Sequence, residues 1–318
     1  MNKPNVLFVI GPTASGKTGL SIELAKKFNG EVISCDSMQI YRKMDIGTAK
    51  PTSDERSGIK HYLIDICDIK DTFSVNDYQK LANNKIQEIS KMSKLPIVVG
   101  GTGLYVDSLL NNTEFAEHNS SEKTREELNF QLEKFGKEYL FNKLLEVDPI
   151  TAEKLHLNDT KRIIRALECY ILTGIPKSEH DKNSHKREVP FNPLIIGLNY
   201  TDRDILYERI NKRVDILIEN GLICEIKSLI NEGLKETQTA SQAIGYKEFY
   251  DYVDGKEEID IAIERLKQET RRYAKRQLTW FRRNKDIKWI NVDTDADCNF
   301  EKLTQIAEGI INENFGVI

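Results

Sequence analysis

The sequence predicts an α/β protein, with a parallel sheet, flanking helices and an inserted helical subdomain, and three observations predict it. A short β-branched apolar run, Asn5 to Ile10, closes in Gly11-Pro12 and passes into a helical pattern from Lys17 to Phe28, with Leu20, Leu24 and Phe28 on one face. Strand and helix patterns then alternate up to Leu110, as repeated βα units of a doubly wound parallel sheet require. From 113 to about 190 the chain becomes charged, helix-prone and poor in strand patterns, before a sheet-type run returns at Pro193. The glycine-rich junction between the first strand and the first helix makes the expected sheet P-loop NTPase-like.

The remaining elements follow in order. Glu31 to Cys35 alternates as a second strand and His61 to Ile66 reads as a third. Val75 to Met92 is an amphipathic helix, and Ile97 to Val99 is a buried-type strand that enters Gly100-Gly101. The charged insert ends in the polar stretch Lys177 to Glu188. Pro193 to Leu198 (PLIIGL) rejoins the sheet, helices follow at Arg203 to Glu219, Cys224 to Glu232 and Glu257 to Arg283, and Lys288 to Asn291 is the last strand. The tail from Asp293 to Ile318 carries no motif. A chain of 318 residues suits two domains, or one large α/β domain with an insertion. The boundaries read as a core of 1–112 and 191–318, ending in basic helices, around an insert of 113–190.

A content of 39% hydrophobic and 30% charged residues, with 18 glycines and 8 prolines, excludes wholesale disorder, collagen and coiled coil. The longest uncharged apolar run near the N-terminus, Val6 to Ile10, is far too short to span a bilayer, and no basic-then-apolar leader precedes it. A soluble cytoplasmic protein without a membrane partner is expected. Five scattered cysteines, with no CxxC pair and no histidine at metal spacing, read as reduced thiols. The net charge of −4 argues against a nucleic-acid partner until it is mapped along the chain. Ile261 to Ile290 carries ten Lys and Arg against Glu264, Glu269 and Asp286, a net of +7, which leaves −11 for the remainder.

The chemistry begins at Gly11-Pro12-Thr13-Ala14-Ser15-Gly16-Lys17-Thr18, which fits GxxxxGK[ST] directly after a strand and at the opening of a helix. Backbone N–H groups of such a loop form an anion nest, Lys17 supplies a point charge to the outer phosphate, and the Thr18 hydroxyl suits Mg²⁺. A ligand with a di- or triphosphate is expected, while the reaction stays open among kinases, NTPases and transferases. Asp65, at the end of the His61-Tyr-Leu-Ile run, keeps a nucleotide-hydrolysing reading alive as a Walker-B acid. The second strand runs into Asp36-Ser-Met-Gln-Ile-Tyr41. Its carboxyl end faces the same crevice as the phosphate loop, so Asp36 is placed as a general base, with a helix cap or an outer-shell Mg²⁺ ligand as the alternatives.

Eight blocks then resemble the tRNA dimethylallyltransferase (tRNA isopentenyltransferase) family in its compact bacterial form: GPTASGKT, DSMQIY, DIGTAKP, GGTGLY, RIIRALE, RDILYERINKRV, AIGYKE and KRQLTWFRR. They run in order from about residue 5 to 290, and no C₂H₂ zinc pattern follows the basic helix. The resemblance implies transfer of a dimethylallyl group from dimethylallyl diphosphate to N6 of the adenosine immediately 3′ of the tRNA anticodon, with Mg²⁺ required. It implies catalytic roles for Asp36, Lys17, Thr13 and Arg209, and a diphosphate held by residues 11–18 and Arg213. Arg209 and Arg213 lie four apart on one helix face, so both can point into one site, or both can belong to an ordinary solvated face.

The same resemblance assigns tRNA contacts to Asp36, Ser37, Met38, Gln39, Thr102, Arg125, Lys161, Arg162 and Arg165, and to Gln242, Gly245, Tyr246 and Lys247. Thr102 also reads as a plain helix N-cap. The basic run 265–285 reads either as a solvated helix face or, with Tyr273, Trp280 and Phe281 interleaved, as an RNA-phosphate surface. The target base must be splayed from the anticodon loop of the stem-loop partner to reach a channel. Residues 113–146 carry eight acids and five bases, which is unusual for a surface that closes over RNA. A monomer is expected. The competing readings are an adenylate isopentenyltransferase on free nucleotide, a small-molecule kinase or P-loop NTPase, and a non-catalytic RNA-binding protein.

Overall fold

Six strands form one parallel sheet in the order β3-β2-β4-β1-β5-β6: β1 (Asn5–Ile10), β2 (Gly30–Cys35), β3 (His61–Tyr62), β4 (Leu95–Gly100), β5 (Asn192–Asn199) and β6 (Lys288–Asn291). The computed structural model describes residues 3–113, 121–184 and 188–316. The chain divides into two compact units, Met1–Leu110 with Val189–Ile318, and Asn111–Glu188. The helices are α1 (Lys17–Lys27), α2 (Ser53–Arg56), α3 (Val75–Lys91), α4 (Gly103–Leu110), α5 (Glu122–Val147), α6 (Pro149–Ala152), α7 (Thr160–Thr173), α8 (Lys177–Ser184), α9 (Arg203–Glu219), α10 (Leu222–Asn231), α11 (Tyr250–Val253), α12 (Ile259–Phe281) and α13 (Phe300–Phe315).

The central strand β1 pairs with β4 and β5, with Leu7 opposite both Ile97 and Leu194. Its side chains alternate between two cores, which explains why a sheet covered on both faces reads as a continuous apolar run. Leu7 and Val9 pack with Leu20 and Leu24 of α1, Leu206 and Ile210 of α9 and Leu303 of α13. Val6, Phe8 and Ile10 pack with Tyr78 and Ile86 of α3 and Tyr105 and Val106 of α4. A third core, with Tyr41, Met44, Val214, Ile226, Tyr246 and Leu266, lies under the loops that follow β2 and α10. β4 ends at Gly100, where a Cβ would lie 2.0 Å from the Cys35 carbonyl oxygen, so the ends of β2 and β4 meet as only glycine permits.

One expectation is corrected here. The third strand stops at Tyr62, because Leu63 and Asp65 adopt left-handed φ of 61° and 57° that end the extended run expected through Ile66. The tail, which carries no motif, forms α13, which buries Leu303, Ala307 and Ile311 against the sheet-side core, and Lys27 pairs with Glu308. In the second unit α5 turns at Gly136, whose φ of 83° interrupts the helix, and Leu128, Leu140 and Leu144 pack on Ile163, Ala166 and Leu167 of α7. The polar stretch from 177 forms α8 through Ser184, while 185–187 lie outside the described residues.

Candidate active site

Residues 11–18 link β1 to α1, and Gly11, Ala14 and Gly16 take positive φ of 148°, 62° and 94°. A Cβ at Gly11 would lie 2.7 Å from the Leu198 carbonyl oxygen, so the first glycine allows the loop to pass over β5. Lys17 Nζ donates to the Pro12 carbonyl at 2.6 Å. The Ser15 hydroxyl is buried with no hydrogen-bond partner among the described residues. Helix α1 has no acid in its first turn, which keeps its positive end open to an anion.

The loop after β2 is ordered by its own aspartate. Asp36 Oδ1 accepts the N–H groups of Met38 (2.8 Å) and Gln39 (3.3 Å), so the carboxylate folds the turn that carries it. Ser37 N–H donates to Thr102 Oγ1 at 3.2 Å. The Thr102 carbonyl receives the N–H groups of Tyr105 and Val106. Thr102 thus opens α4 through its backbone, while its hydroxyl ties the GGTG turn to the Asp36 loop.

Three cavities meet at these residues. A polar one is lined by Thr13, Lys17, Thr18, Ser34, Asp36 and Gln39, together with Arg213, Tyr273 and Gln277. A mostly apolar chamber of about 240 Å³ shares Thr13, Asp36, Arg213 and Tyr273, and adds Ser37, Met38, Gln242 and Gly245 with Val214, Leu217 and Leu266. A more open one runs along Ala14, Ser15, Gly16, Lys17 and Thr18 to Arg209 and Arg213. Arg209 and Arg213 of α9 therefore both face the phosphate loop. Arg209 Nε donates to the Ala14 carbonyl at 3.0 Å, and its guanidinium lies over the Tyr200 ring.

Burial and the neighbouring Arg213 push Lys17 down to about 7, against the pull of Asp36. Burial likewise lowers Arg213, opposed by Asp36 and Glu55. The site is therefore a cluster of cations with the carboxylates of Asp36 and Glu55 near it, an arrangement that a bound anion would relax.

Tyr246, assigned to tRNA, is fully buried and donates its hydroxyl to Glu225 at 2.6 Å, so it offers no face to a base. Burial and Glu225 raise its phenol far above the usual range. The Glu225 carboxylate also accepts the N–H groups of Asp45, Ile46 and Gly47. It thereby fixes the DIGT loop that forms one wall of the chamber, opposite Gly245. Lys247 and Gln242 are exposed. Asp65 does not face the phosphate loop: with Asp45 it holds the buried Lys50, at 2.6 Å from Nζ, which leaves the nucleotide-hydrolysing reading without its acid.

In the helical unit, the fully buried Glu168 brings Arg125 (2.9 Å) and Arg165 (2.6 Å) together on α5 and α7. Arg162 lies 3.6 Å from Asp159, and Lys161 is exposed. On α12 the first basic residues are already engaged. Arg265 pairs with Glu257, Lys267 with Asp215 (2.7 Å) and Arg272 with Glu269 (2.6 Å). Arg276 and Arg283 instead lie over the Tyr273 and Trp280 rings. The sequence reading missed Gln277, Glu225 and Thr48, which lines both the polar cavity and the chamber, and took Tyr273 only as an aromatic of the basic surface. Three of them lie inside the DIGTAKP and KRQLTWFRR blocks or beside the latter, so position within those blocks was the available signal.

A phosphate loop after β1, with an aspartate at the carboxyl end of β2 two places along the same parallel sheet, defines the class as an enzyme of the P-loop fold. A protein-family profile described as "IPP transferase" matches residues 39–284. A tRNA dimethylallyltransferase from Acetivibrio thermocellus is 51% identical over 294 residues, covering 92% of this chain and 94% of the relative. One from Bacillus subtilis is 49% identical over 300 residues, covering 94% and 95%. The crystal structure of the full-length tRNA isopentenylpyrophosphate transferase from Bacillus halodurans aligns with a TM-score of 0.71 at 45% identity over 98% of both chains. A eukaryotic dimethylallyltransferase acting on tRNA aligns with a TM-score of 0.80 at 32% identity, over 98% of this chain and 80% of the other. The chain belongs to this family of prenyl-transferring enzymes.

Proposed function

We propose that the chain transfers the dimethylallyl group of dimethylallyl diphosphate to N6 of the adenosine immediately 3′ of the anticodon in tRNA. One observation carries the reading: Thr13, Asp36 and Arg213 line both the polar cavity of the phosphate loop and the apolar chamber beside it. A leaving diphosphate fits the first and a prenyl group with an extruded base fits the second, so the reacting atoms would meet at Asp36.

In this reading the diphosphate occupies residues 11–18, and Lys17, Arg209 and Arg213 offset the charge that grows on the departing oxygen. The allylic C1–O bond breaks with its electron pair going to diphosphate, and C1 bonds to N6. The exocyclic amine is a poor nucleophile because its lone pair is delocalised, so loss of its proton as the bond forms is essential. Asp36 Oδ1 is occupied by the Met38 and Gln39 amides, which leaves Oδ2 to take that proton.

Among the described residues no group of three or more His, Cys, Asp and Glu forms a metal cage. The Thr18 hydroxyl and Asp36, which line one polar cavity, fit Mg²⁺ all the same, because that ion keeps waters and takes most ligands from substrate phosphate. Bound through Thr18, Mg²⁺ would add charge neutralisation at the diphosphate. Ser37, Met38, Gln39, Thr102, Gln242, Gly245 and Lys247 would read or flank the base. Arg125, Lys161, Arg162, Arg165 and the later part of α12 would hold phosphates. The enzyme would act as a cytoplasmic monomer; no described helix is long and apolar enough to cross a membrane.

The test is incubation with Mg²⁺, dimethylallyl diphosphate and unmodified tRNA bearing adenosine 3′ of the anticodon, followed by nucleoside mass spectrometry. Dimethylallyl-adenosine is expected, and Asp36→Ala should lower its formation by about 10²–10⁴-fold while tRNA binding persists. Prenylation of free AMP alone, or ATP turnover, would overturn the reading. A fully active Asp36→Ala enzyme would remove the base assignment.

A further inference from the structure

We infer that Gln277 is a positioning residue for the transfer: its amide sets the register between the loop that cradles the leaving group and the loop that carries the base. The inference rests on the function proposed above. Gln277 lies on α12 and is only 6% exposed. Its Oε1 accepts the Thr13 N–H at 2.9 Å, and its Nε2 donates to the Gly101 carbonyl at 3.0 Å. The orientation of the amide is fixed by these partners, since only an acceptor can meet an N–H and only a donor can meet a carbonyl.

The two bonds reach both halves of the site. The Thr13 N–H and the Pro12 carbonyl belong to one peptide plane, and Lys17 Nζ binds that carbonyl at 2.6 Å. Gln277 therefore holds at one edge the plane on which the Lys17 ammonium is parked at the other. The Gly101 bond grips the GGTG turn, whose Thr102 hydroxyl receives the Ser37 N–H beside Asp36. The approach is so close that a Cβ at Gly101 would lie 2.1 Å from Gln277 Nε2. Tyr273, one helical turn earlier, lines the same polar cavity as Gln277. One buried amide on α12 thus ties the phosphate loop to the GGTG turn and, through Thr102, to the loop that bears Asp36.

A glutamate has the shape of glutamine but different donors. As the neutral acid it would accept from Thr13 and donate its O–H to Gly101, as the amide does. As the carboxylate it would turn a second acceptor on the Gly101 carbonyl. Burial raises the introduced carboxyl, so the switch falls in mildly acidic solution. The experiment compares kcat and KM for tRNA of the wild-type chain, Gln277→Met and Gln277→Glu from about pH 5.5 to about pH 8.5, below the melting temperature of each.

Gln277→Met keeps the volume and removes both bonds. Its kcat should fall by about 10–100-fold with KM for tRNA within about twofold, because misplacement of the reacting groups slows the step without removing an RNA contact. The ratio of Gln277→Glu to wild-type kcat should rise by about fivefold or more as the pH falls, as the lost donor returns. A ratio independent of pH, or a Gln277→Met enzyme with wild-type kcat, would overturn the role while leaving the prenyl-transfer reading intact. A wild-type chain that gives no prenylated tRNA would overturn the function and this role with it.

Discussion

The two units handle arginine in opposite ways. In the helical unit the fully buried Glu168 neutralises Arg125 and Arg165, and each guanidinium remains partly in water. In the larger unit Lys17 and Arg213 line one cavity, and among the described residues no ion pair joins a carboxylate to Lys17, Arg209 or Arg213. A compensated cluster is a structural device, because taking away its acid strands charge. An uncompensated one is strained in the free protein and relieved by a bound anion. The contrast separates cations already paired with a buried acid from cations that have no such ion pair among the described residues.

Among the substitutions that test this contrast, Arg213→Met gives the largest expected effect. Prenyl transfer should drop by about 10²–10³-fold, while the melting temperature stays level or rises, because the substitution removes a packed charge that lacks a partner. A clear fall in melting temperature would break the contrast from the catalytic side.

Glu168→Gln should do the reverse. Stability of the helical unit should fall by about 1–3 kcal/mol in denaturant titrations, with kcat at saturating tRNA within about twofold. An unchanged midpoint would show that the two arginines do not depend on the acid.

The smallest effect is a proton. Lys17 sits at about 7 instead of its ordinary 10.5, so near neutral pH a fraction of the free enzyme carries it uncharged. A bound diphosphate favours the charged form, and calorimetry in two buffers of different ionisation enthalpy should register uptake of up to about one proton between about pH 7 and about pH 9. The folded value lies below the unfolded one, so the unfolded chain binds more protons in that interval and this group's contribution to stability grows as pH rises through it. Proton release, or none, would show that Lys17 is charged before the ligand arrives.

Much of this was legible in the chain itself. GPTASGKT after an apolar run fixes a phosphate loop because the backbone turn, the helix terminus and the lysine are all local. Placing Asp36 in the same crevice needed only the rule that parallel strands end on one edge. The third strand was overread, since nothing in HYLIDI announces left-handed backbone at Leu63 and Asp65. Helix α13 was overlooked although Leu303, Ala307 and Ile311 recur at helical spacing. Tyr246 and Glu225 could not be assigned from spacing, because a buried tyrosine and an exposed one have the same letter.

The sequence by itself determined the order of strands and helices, the position of the phosphate loop and the excess of positive charge near α12, because each depends on neighbours within one or two helical turns. Only the tertiary structure decided which charges are free. It sends Asp65 to Lys50, Glu168 to two arginines and Glu225 to three amides, and it leaves Lys17 and Arg213 together beside Asp36. The difference is physical: hydrogen-bonding partners and desolvation come from segments tens to hundreds of residues apart, so no local window carries them.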